Sequence, residues 1–435
     1  MPALQLFTNA KAVQFFQLAR QGTSILIAIL LAKSALSTSQ IGAYEMLFYL
    51  GFITSFFWTS GLMQGMLSMY PRETEEGRRR FVFNSFLSFC LVSLGLTLLM
   101  WGGKQWILPA LTGKASLDYY AIFLWFSLFN LPATLQENFY LLHERPRQLY
   151  LWAIFSFGLQ LAAVLIPVFL GLGLGVSFFW LTVLAVAKWG WLAIYVVKNG
   201  RWSLDRSLLY RWWILSTPLM LYALISGFNQ SFDSWLVGFS YPGDEAVFAV
   251  FRYGAREFPL VIAMANAFST AMLPEIAKNL EKGLEAIRIK SISLLHALFP
   301  ASILLMLGSK WLFPLVFSRA FDDSVLIFNV FLLITISRLV FSRTVLVGLQ
   351  DNKMILLISI AEFFVHIAAG FLFVSIWGLA GIAIGALLAY TLEKVLICAY
   401  LYSKHGIGIS RYTPMGLYLW YSAALLASFV VSLLF

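Results

Sequence analysis

Apolar residues run along this chain in long blocks, each broken by a short polar or charged stretch. A hydrocarbon core about 30 Å thick is crossed by roughly 20 helical residues, so each block is long enough to span it. The blocks predict about thirteen spans. Six lie near 10–32, 41–69, 81–107, 117–142, 149–171 and 174–197. Six more lie near 211–239, 246–273, 290–317, 323–349, 354–376 and 378–402, and one follows Pro414 near 415–435. The predicted fold class is an all-α polytopic membrane protein: two six-helix bundles and an additional C-terminal transmembrane helix.

The polar breaks alternate in charge. One set carries Arg72 and Arg78–Arg80, Arg145 and Arg147, Lys198, Arg201, Arg206 and Arg211. It continues with Lys278, Lys282, Arg288 and Lys290, then Lys353, then Lys404 and Arg411. The other set holds little beyond Lys33, Lys104, Lys114 and Arg319. Basic loops stay in the cytoplasm, so the first set predicts a cytoplasmic N-terminus and an external C-terminus.

The chain also repeats itself. Gly175 and Gly381, Lys188 and Lys394, Lys198 and Lys404, and Gly200 and Gly406 all stand 206 residues apart. A repeat of six spans keeps its orientation, so the halves are expected about a pseudo-twofold axis along the membrane normal, with the substrate path between them. The predicted division is 1–197, a basic cytoplasmic linker 198–211, 212–402, and an extra helix in 403–435.

Composition agrees with the blocks. The 435 residues are 60% hydrophobic and only 11% charged, with a mean hydropathy of +0.82. Soluble domains carry about 25% charged residues. A net charge of +10 would suggest nucleic acid in a soluble chain; here cytoplasmic loops beside anionic lipid account for it, and no nucleic-acid partner is expected. Cys90 and Cys398 both fall in apolar blocks and define neither a disulfide framework nor a metal site. No cleavable signal peptide is expected, because the first apolar run exceeds the length of a signal core. No cofactor is expected.

Charges inside the predicted spans are the candidate chemistry, since an arginine near the bilayer centre costs roughly 2.5–3.5 kcal/mol on insertion scales. Arg252 and Arg256 stand four residues apart, on one face if the span is helical. They could line a cavity for an anion, or pair with Asp233 or Glu257. Arg20 lies within the first span, Lys188 and Lys394 at matching positions of the sixth and twelfth, and Arg338 and Arg343 on different faces of the tenth. Acidic partners are available at Glu45, Glu137, Asp233, Glu257, Glu362 and Glu393. Glu393 and Lys394 are adjacent, hence not a simple pair. Asp233, Glu257 and Glu362 could carry a coupling cation, H+ or Na+. Glu362 and His366 share a face and form either a proton site or a satisfied polar patch. His143 and His405 are expected to be solvated, and His296 has no apparent partner.

Nothing reads as an enzyme: there is no Walker loop, no nucleophile elbow and no His/Cys cluster at metal spacing. Gly171-Leu-Gly-Leu-Gly175 is better explained as a bend between spans than as a phosphate loop.

Glu245-Ala-Val-Phe-Ala-Val-Phe-Arg-Tyr-Gly254, Ala271-Met-Leu-Pro-Glu-Ile-Ala277 and Ile41-Gly-Ala-Tyr44 resemble the helix openings and the Leu-Pro-Glu closure of the multidrug/oligosaccharidyl-lipid/polysaccharide exporter superfamily. Within it the chain resembles the Wzx-type polysaccharide flippases, over roughly 1–402. The resemblance implies a MATE-like pair of bundles around a cationic cavity, alternating access, and a polyprenyl-diphosphate-linked glycan as cargo. It also implies that Arg20, Arg252 and Arg256 hold the diphosphate. The implied setting is the cytoplasmic (inner) membrane, with lipid around a monomer. Guanidinium forks suit diphosphate geometry. Two functions compete: a cation-coupled multidrug exporter of the same fold, which wants acidic cavity walls, and an integral-membrane glycan polymerase or ligase, which wants a large external loop.

Overall fold

A computed structural model describes residues 8–434, and helices make up almost all of it. In chain order the helices are α1 (Asn9–Ala32), α2 (Thr38–Met69), α3 (Glu75–Gly102), α4 (Lys104–Thr112), α5 (Tyr120–Ala133), α6 (Leu135–Leu142), α7 (Pro146–Phe169) and α8 (Gly173–Asn199). They continue with α9 (Arg206–Ser240), α10 (Glu245–Gly254), α11 (Pro259–Lys278), α12 (Leu280–Val316), α13 (Ser324–Arg338), α14 (Ser342–Gly348), α15 (Asn352–His405) and α16 (Met415–Leu434). Among the described residues there is no β-strand.

Local chemistry sets the ends of these helices. Ser37 and Gln40 form a reciprocal capping box at the start of α2. Thr74, Asn279 and Asp351 cap α3, α12 and α15 by accepting from backbone N–H groups in the first turn. Gly113 and Gly406 end α4 and α15 in the left-handed region, at φ 70° and 64°.

Ten of the described helices are long and apolar enough to cross a membrane, and an eleventh span results if α13 and α14, bent by 43° at their junction, are one. The chain is thus a multi-pass membrane protein. The pattern of blocks predicts more spans because it treats interrupted segments as whole. The fourth predicted span is α5 and α6, interrupted at Thr134 just after Pro132. The eleventh and twelfth run together as the 54 residues of α15, about 80 Å at 1.5 Å per residue and far too long for one crossing. Gly378 breaks it at φ 58° and ψ −136°, a conformation open to glycine. A Cβ on Gly381 would lie 1.9 Å from the carbonyl oxygen of Phe373, so that bend also requires glycine. The bend between α7 and α8 is likewise built on Gly171 and Gly173, at φ 76° and 79°, as a hairpin and not a phosphate loop.

The chain divides into two compact units, 1–231 with 241–249, and 232–240 with 250–435. Each has its own apolar core. The first is built on residues such as Leu62, Phe81, Phe89, Phe139, Leu192 and Trp212. The second is built on Ile287, Leu295, Phe299, Leu332, Val345 and Leu425. The last of these brings α16 into the second core; the Tyr421 ring stacks on Phe299 and its hydroxyl meets His296 Nδ1 at 2.8 Å. His296 therefore has the partner that its sequence setting did not reveal.

Within each unit, polar contacts tie together loops of like predicted side. In the first, Arg80 meets Asp205 at 3.5 Å and Arg201 pairs with Glu76. Lys114 meets Glu245 at 2.6 Å among the charge-poor loops. In the second, Arg411 pairs with Glu281, and Tyr400 donates to Asp351 at 2.6 Å. His143, expected to be solvated, is instead half-buried and held between the hydroxyls of Tyr70 and Tyr195. His405 is exposed, as expected.

Candidate functional site

Two polar clusters lie within the apolar body, one in each unit. The first lines a cavity of about 410 Å³ enclosed by α1, α2, α3, α5, α6, α7 and α8. Arg20 of α1, Glu137 of α6 and Lys188 of α8 face it together. Lys188 donates to Asn130 Oδ1 at 3.2 Å, and Arg20 donates to Gln17 one turn back along its own helix. Gln160, Thr97, Ser127 and Thr134 add neutral polar groups, while Phe16, Phe126, Trp152 and Phe157 supply aromatic walls. Two cationic side chains thus face one carboxylate. The break at Thr134 brings Glu137 to this wall, because α6 starts afresh there. Sequence reading singles out Arg20 and Lys188 but gives Glu137 only as an available partner, and it misses Asn130 and Gln160. Their signal was present: amide side chains are conspicuous in an apolar block.

The second cluster is a set of ion pairs. Arg338 clasps Glu257 with Nε and Nη2 at 2.8–3.0 Å, and its guanidinium lies 5.1 Å from the centre of the Tyr390 ring. Arg343 meets Glu393 Oε1 at 2.9 Å, and Lys394 reaches back to the other oxygen at 3.1 Å. Adjacent residues do pair here, against the expectation, because the long lysine side chain can fold back on its neighbour. Asp233 Oδ1 lies 2.8 Å from His366 Nε2. Glu362 is buried one turn before His366.

The arginines at the opening of the eighth predicted span behave differently from their spacing. The helix ends at Gly254, and 255–258 are not helical. Arg252 is therefore on α10 while Arg256 is in the interruption, and the shared helical face is lost. Arg252 donates to Ser234 Oγ at 3.4 Å, and Arg256 lies over the Tyr253 ring at 5.1 Å. Asp233 and Glu257, offered as their partners, bond His366 and Arg338. Arg20, Glu45, Glu137 and Lys188 belong to the first unit, and Asp233, Arg252, Arg256, Glu257, Arg338, Arg343, Glu362, Glu393 and Lys394 to the second.

No family model matches this chain, and no curated protein is similar to it in sequence. Solved structures are similar in fold. The lipid II flippase MurJ, in an inward closed conformation, superposes with a TM-score of 0.72 at 15% identity, covering 96% of this chain and 92% of its own. An inward-facing multidrug resistance MATE family transporter gives 0.69 at 14% identity, covering 98% and 97%. A third structure, a MOP superfamily transporter from Pyrococcus furiosus, gives 0.59 at 14% identity over 98% and 99%. The chain has the MATE- and MurJ-like fold. That result agrees with the fold implied by the helix-opening motifs, and identities this low carry the fold alone.

Proposed function

We propose that this chain is a transporter that moves a polyprenyl-diphosphate-linked oligosaccharide across the cytoplasmic membrane by alternating access, acting as a monomer with its N-terminus in the cytoplasm. The observation that carries the reading is the charge of the first unit's cavity: Arg20 and Lys188 against Glu137 alone. An exporter of organic cations wants the opposite balance. A diphosphate offers several charged oxygens to a guanidinium fork and an ammonium. The cavity's volume of about 410 Å³ lies within the range of ligand pockets, roughly 300–1,000 Å³. It is large enough for a diphosphate and one sugar, and the aromatic walls suit a sugar face. The prenyl chain would stay in lipid.

In this reading Arg20 and Lys188 hold the diphosphate. Arg338, Arg343 and Lys394 already bond carboxylates and serve the packing of the second unit. A coupling cation acts at the acidic groups of that unit. The fold shared with a lipid II flippase and with MATE transporters supports transport as the class.

The test is a vesicle assay with purified protein and a fluorescent short-chain prenyl-diphosphate monosaccharide, read by quenching from outside. Protein-dependent flipping, slowed by excess prenyl diphosphate and not by prenyl alcohol, is expected. Flipping no faster than in empty vesicles, or transport of an organic cation instead, would overturn the reading.

A further inference from the structure

Between α8 and α9 the chain is a fixed strap. Residues 200–205 are not helical, yet they are pinned along the start of α3. The N–H of Arg201 donates to the carbonyl of Arg79 at 2.9 Å. Asn84, fully buried, donates to the carbonyl of Ser203 at 2.9 Å and accepts from the N–H of Asp205 at 3.1 Å. The Trp202 ring lies 4.9 Å from that of Phe83. What the strap turns outward is apolar: Trp202 is 63% exposed and Leu204 53%. Such side chains are costly to leave in water and are accommodated where headgroups meet acyl chains.

The charges around the strap do not balance. Residues 72–80 and 198–211 hold eight Arg and Lys side chains against four carboxylates. Three of the carboxylates are already engaged: Glu73 by Arg211, Glu76 by Arg80 and Arg201, and Asp205 by Arg80. The fourth, Glu75, is in the first turn of α3. Arg79, Lys198 and Arg206 are exposed, and among the described residues their side chains form no ion pair or hydrogen bond. They stand at the ends of α3, α8 and α9, which the strap brings together. Arg206, Tyr210 and Ile214 follow one another at intervals of four along α9, all exposed and on one face. Lys198 and Ile194 stand in the same relation on α8. Cation, then aromatic ring, then aliphatic chain is the order of chemistry from headgroup to hydrocarbon.

We propose that this surface holds the headgroup of an anionic phospholipid, with its phosphate among Arg79, Lys198 and Arg206 and its upper acyl chains against Trp202 and Leu204. Charge and apolar surface together select the occupant. A zwitterionic lipid leaves the three cations uncompensated, and a soluble polyanion leaves Trp202 and Leu204 in water. The surplus charge of these loops is thereby a localised site and not only a general attraction to the membrane. None of these residues lines the cavity of Arg20 and Lys188, so the site is independent of the cargo.

The experiment uses the full chain labelled with 5-fluorotryptophan in nanodiscs, with phosphatidylglycerol replacing phosphatidylcholine stepwise, read by fluorine NMR. The signal lost in Trp202→Phe should move saturably as the anionic lipid rises. Trp125, exposed on the charge-free α5, should not follow it, and its unchanged signal in each variant reports that the fold is kept. Arg79→Gln, Lys198→Gln and Arg206→Gln should each raise the half-saturating amount of phosphatidylglycerol about fivefold. Arg79→Lys keeps the charge and should bind like the unaltered chain. Raised salt should weaken the response. A Trp202 signal that ignores phosphatidylglycerol, that moves together with Trp125, that is unaffected by the three Gln replacements combined, or that moves as far with inorganic phosphate in phosphatidylcholine alone would overturn the proposal.

Discussion

Both oxygens of Glu257 engage Arg338: Nε stands 3.0 Å from Oε2, and Nη2 stands 2.9 Å from Oε1. The clasp joins the interruption between α10 and α11 to the end of α13. It is partly screened, with side chains 18% and 28% exposed. Removing one partner of a fully buried pair costs about 3–5 kcal/mol, and this one should cost about 1–3. Glu257→Gln and Arg338→Leu should each lower the thermal midpoint of the detergent-purified protein, and the double replacement Glu257→Leu with Arg338→Leu should recover much of the loss. Singles and double of equal stability would show that the clasp contributes little.

Replacements in the first unit's cavity should separate function from folding. Arg20→Ala should leave expression unchanged and slow flipping about 10- to 100-fold, the scale of a lost charge-assisted hydrogen bond. Arg20→Lys should fall between, because it keeps the charge and loses the fork. Glu137→Gln removes the one carboxylate facing the cavity and should tighten binding of prenyl diphosphate. Weaker binding in Glu137→Gln would mean that the carboxylate positions the cations.

Gly42 should not accept a side chain. A Cβ there would stand 1.8 Å from the carbonyl oxygen of Glu245. Gly42→Ala must push that backbone away and with it the Glu245 carboxylate, which accepts from Ser39 at 2.7 Å and Lys114 at 2.6 Å. The expected cost is about 1–3 kcal/mol. Wild-type stability of Gly42→Ala, measured by thermal unfolding, would contradict this packing.

Asp205 gives a pH dependence with a defined sign. It accepts from the N–H of Leu208 at 3.0 Å, just before α9, and meets Arg80. The backbone hydrogen bond first, and then Arg80, hold its carboxyl below the ordinary value of 3.8 against partial burial. A depressed carboxylate stabilises the fold above its ordinary range and loses that contribution as pH falls through the folded value. Asp205→Ala should cost about 1 kcal/mol at pH 7 and nothing extra in strong acid. Asp205→Asn should keep most of the cap and flatten the acid limb of the stability profile below about pH 4. Measuring both across pH 3–7 checks the assignment.

The charge asymmetry of the loops predicts sidedness. Single cysteines placed after Arg78, Arg201 and Lys282 should resist a membrane-impermeant reagent in intact cells, while those near Lys114 and Asp244 should react. The Lys114–Glu245 contact requires the last two loops to share a side. Labelling at 282 from outside would reverse the orientation.

Much of this architecture was legible because apolar length and loop charge are averages over many residues. The α2, α3, α7, α8 and α12 spans and the glycine hairpin at 171–175 follow from such averages. The interruptions at Thr134, 255–258 and 339–341 do not, because a break of a few residues hardly lowers the hydropathy of its block. Arg252 and Arg256 show the result: four-residue spacing implies one face only if the helix continues, and it stops at Gly254. Partner choice was likewise hidden. Glu257 finds Arg338 at a separation of 81 residues, and Asp233 finds His366 at 133, which only tertiary packing decides. Arg20 and Lys188 were visible because a charge in an apolar block is conspicuous wherever it points.

The interruption at 255–258 also has a bearing on solvent. Where the helix stops, several N–H and C=O groups lose their intrahelical partners, and within a bilayer such groups survive only against other protein or against water. Hydration of this protein's interior is therefore to be sought along the main chain. In deuterated buffer, the amides flanking Glu257 should exchange while those of unbroken helices such as α7 stay protected, tracing where water enters the transmembrane body.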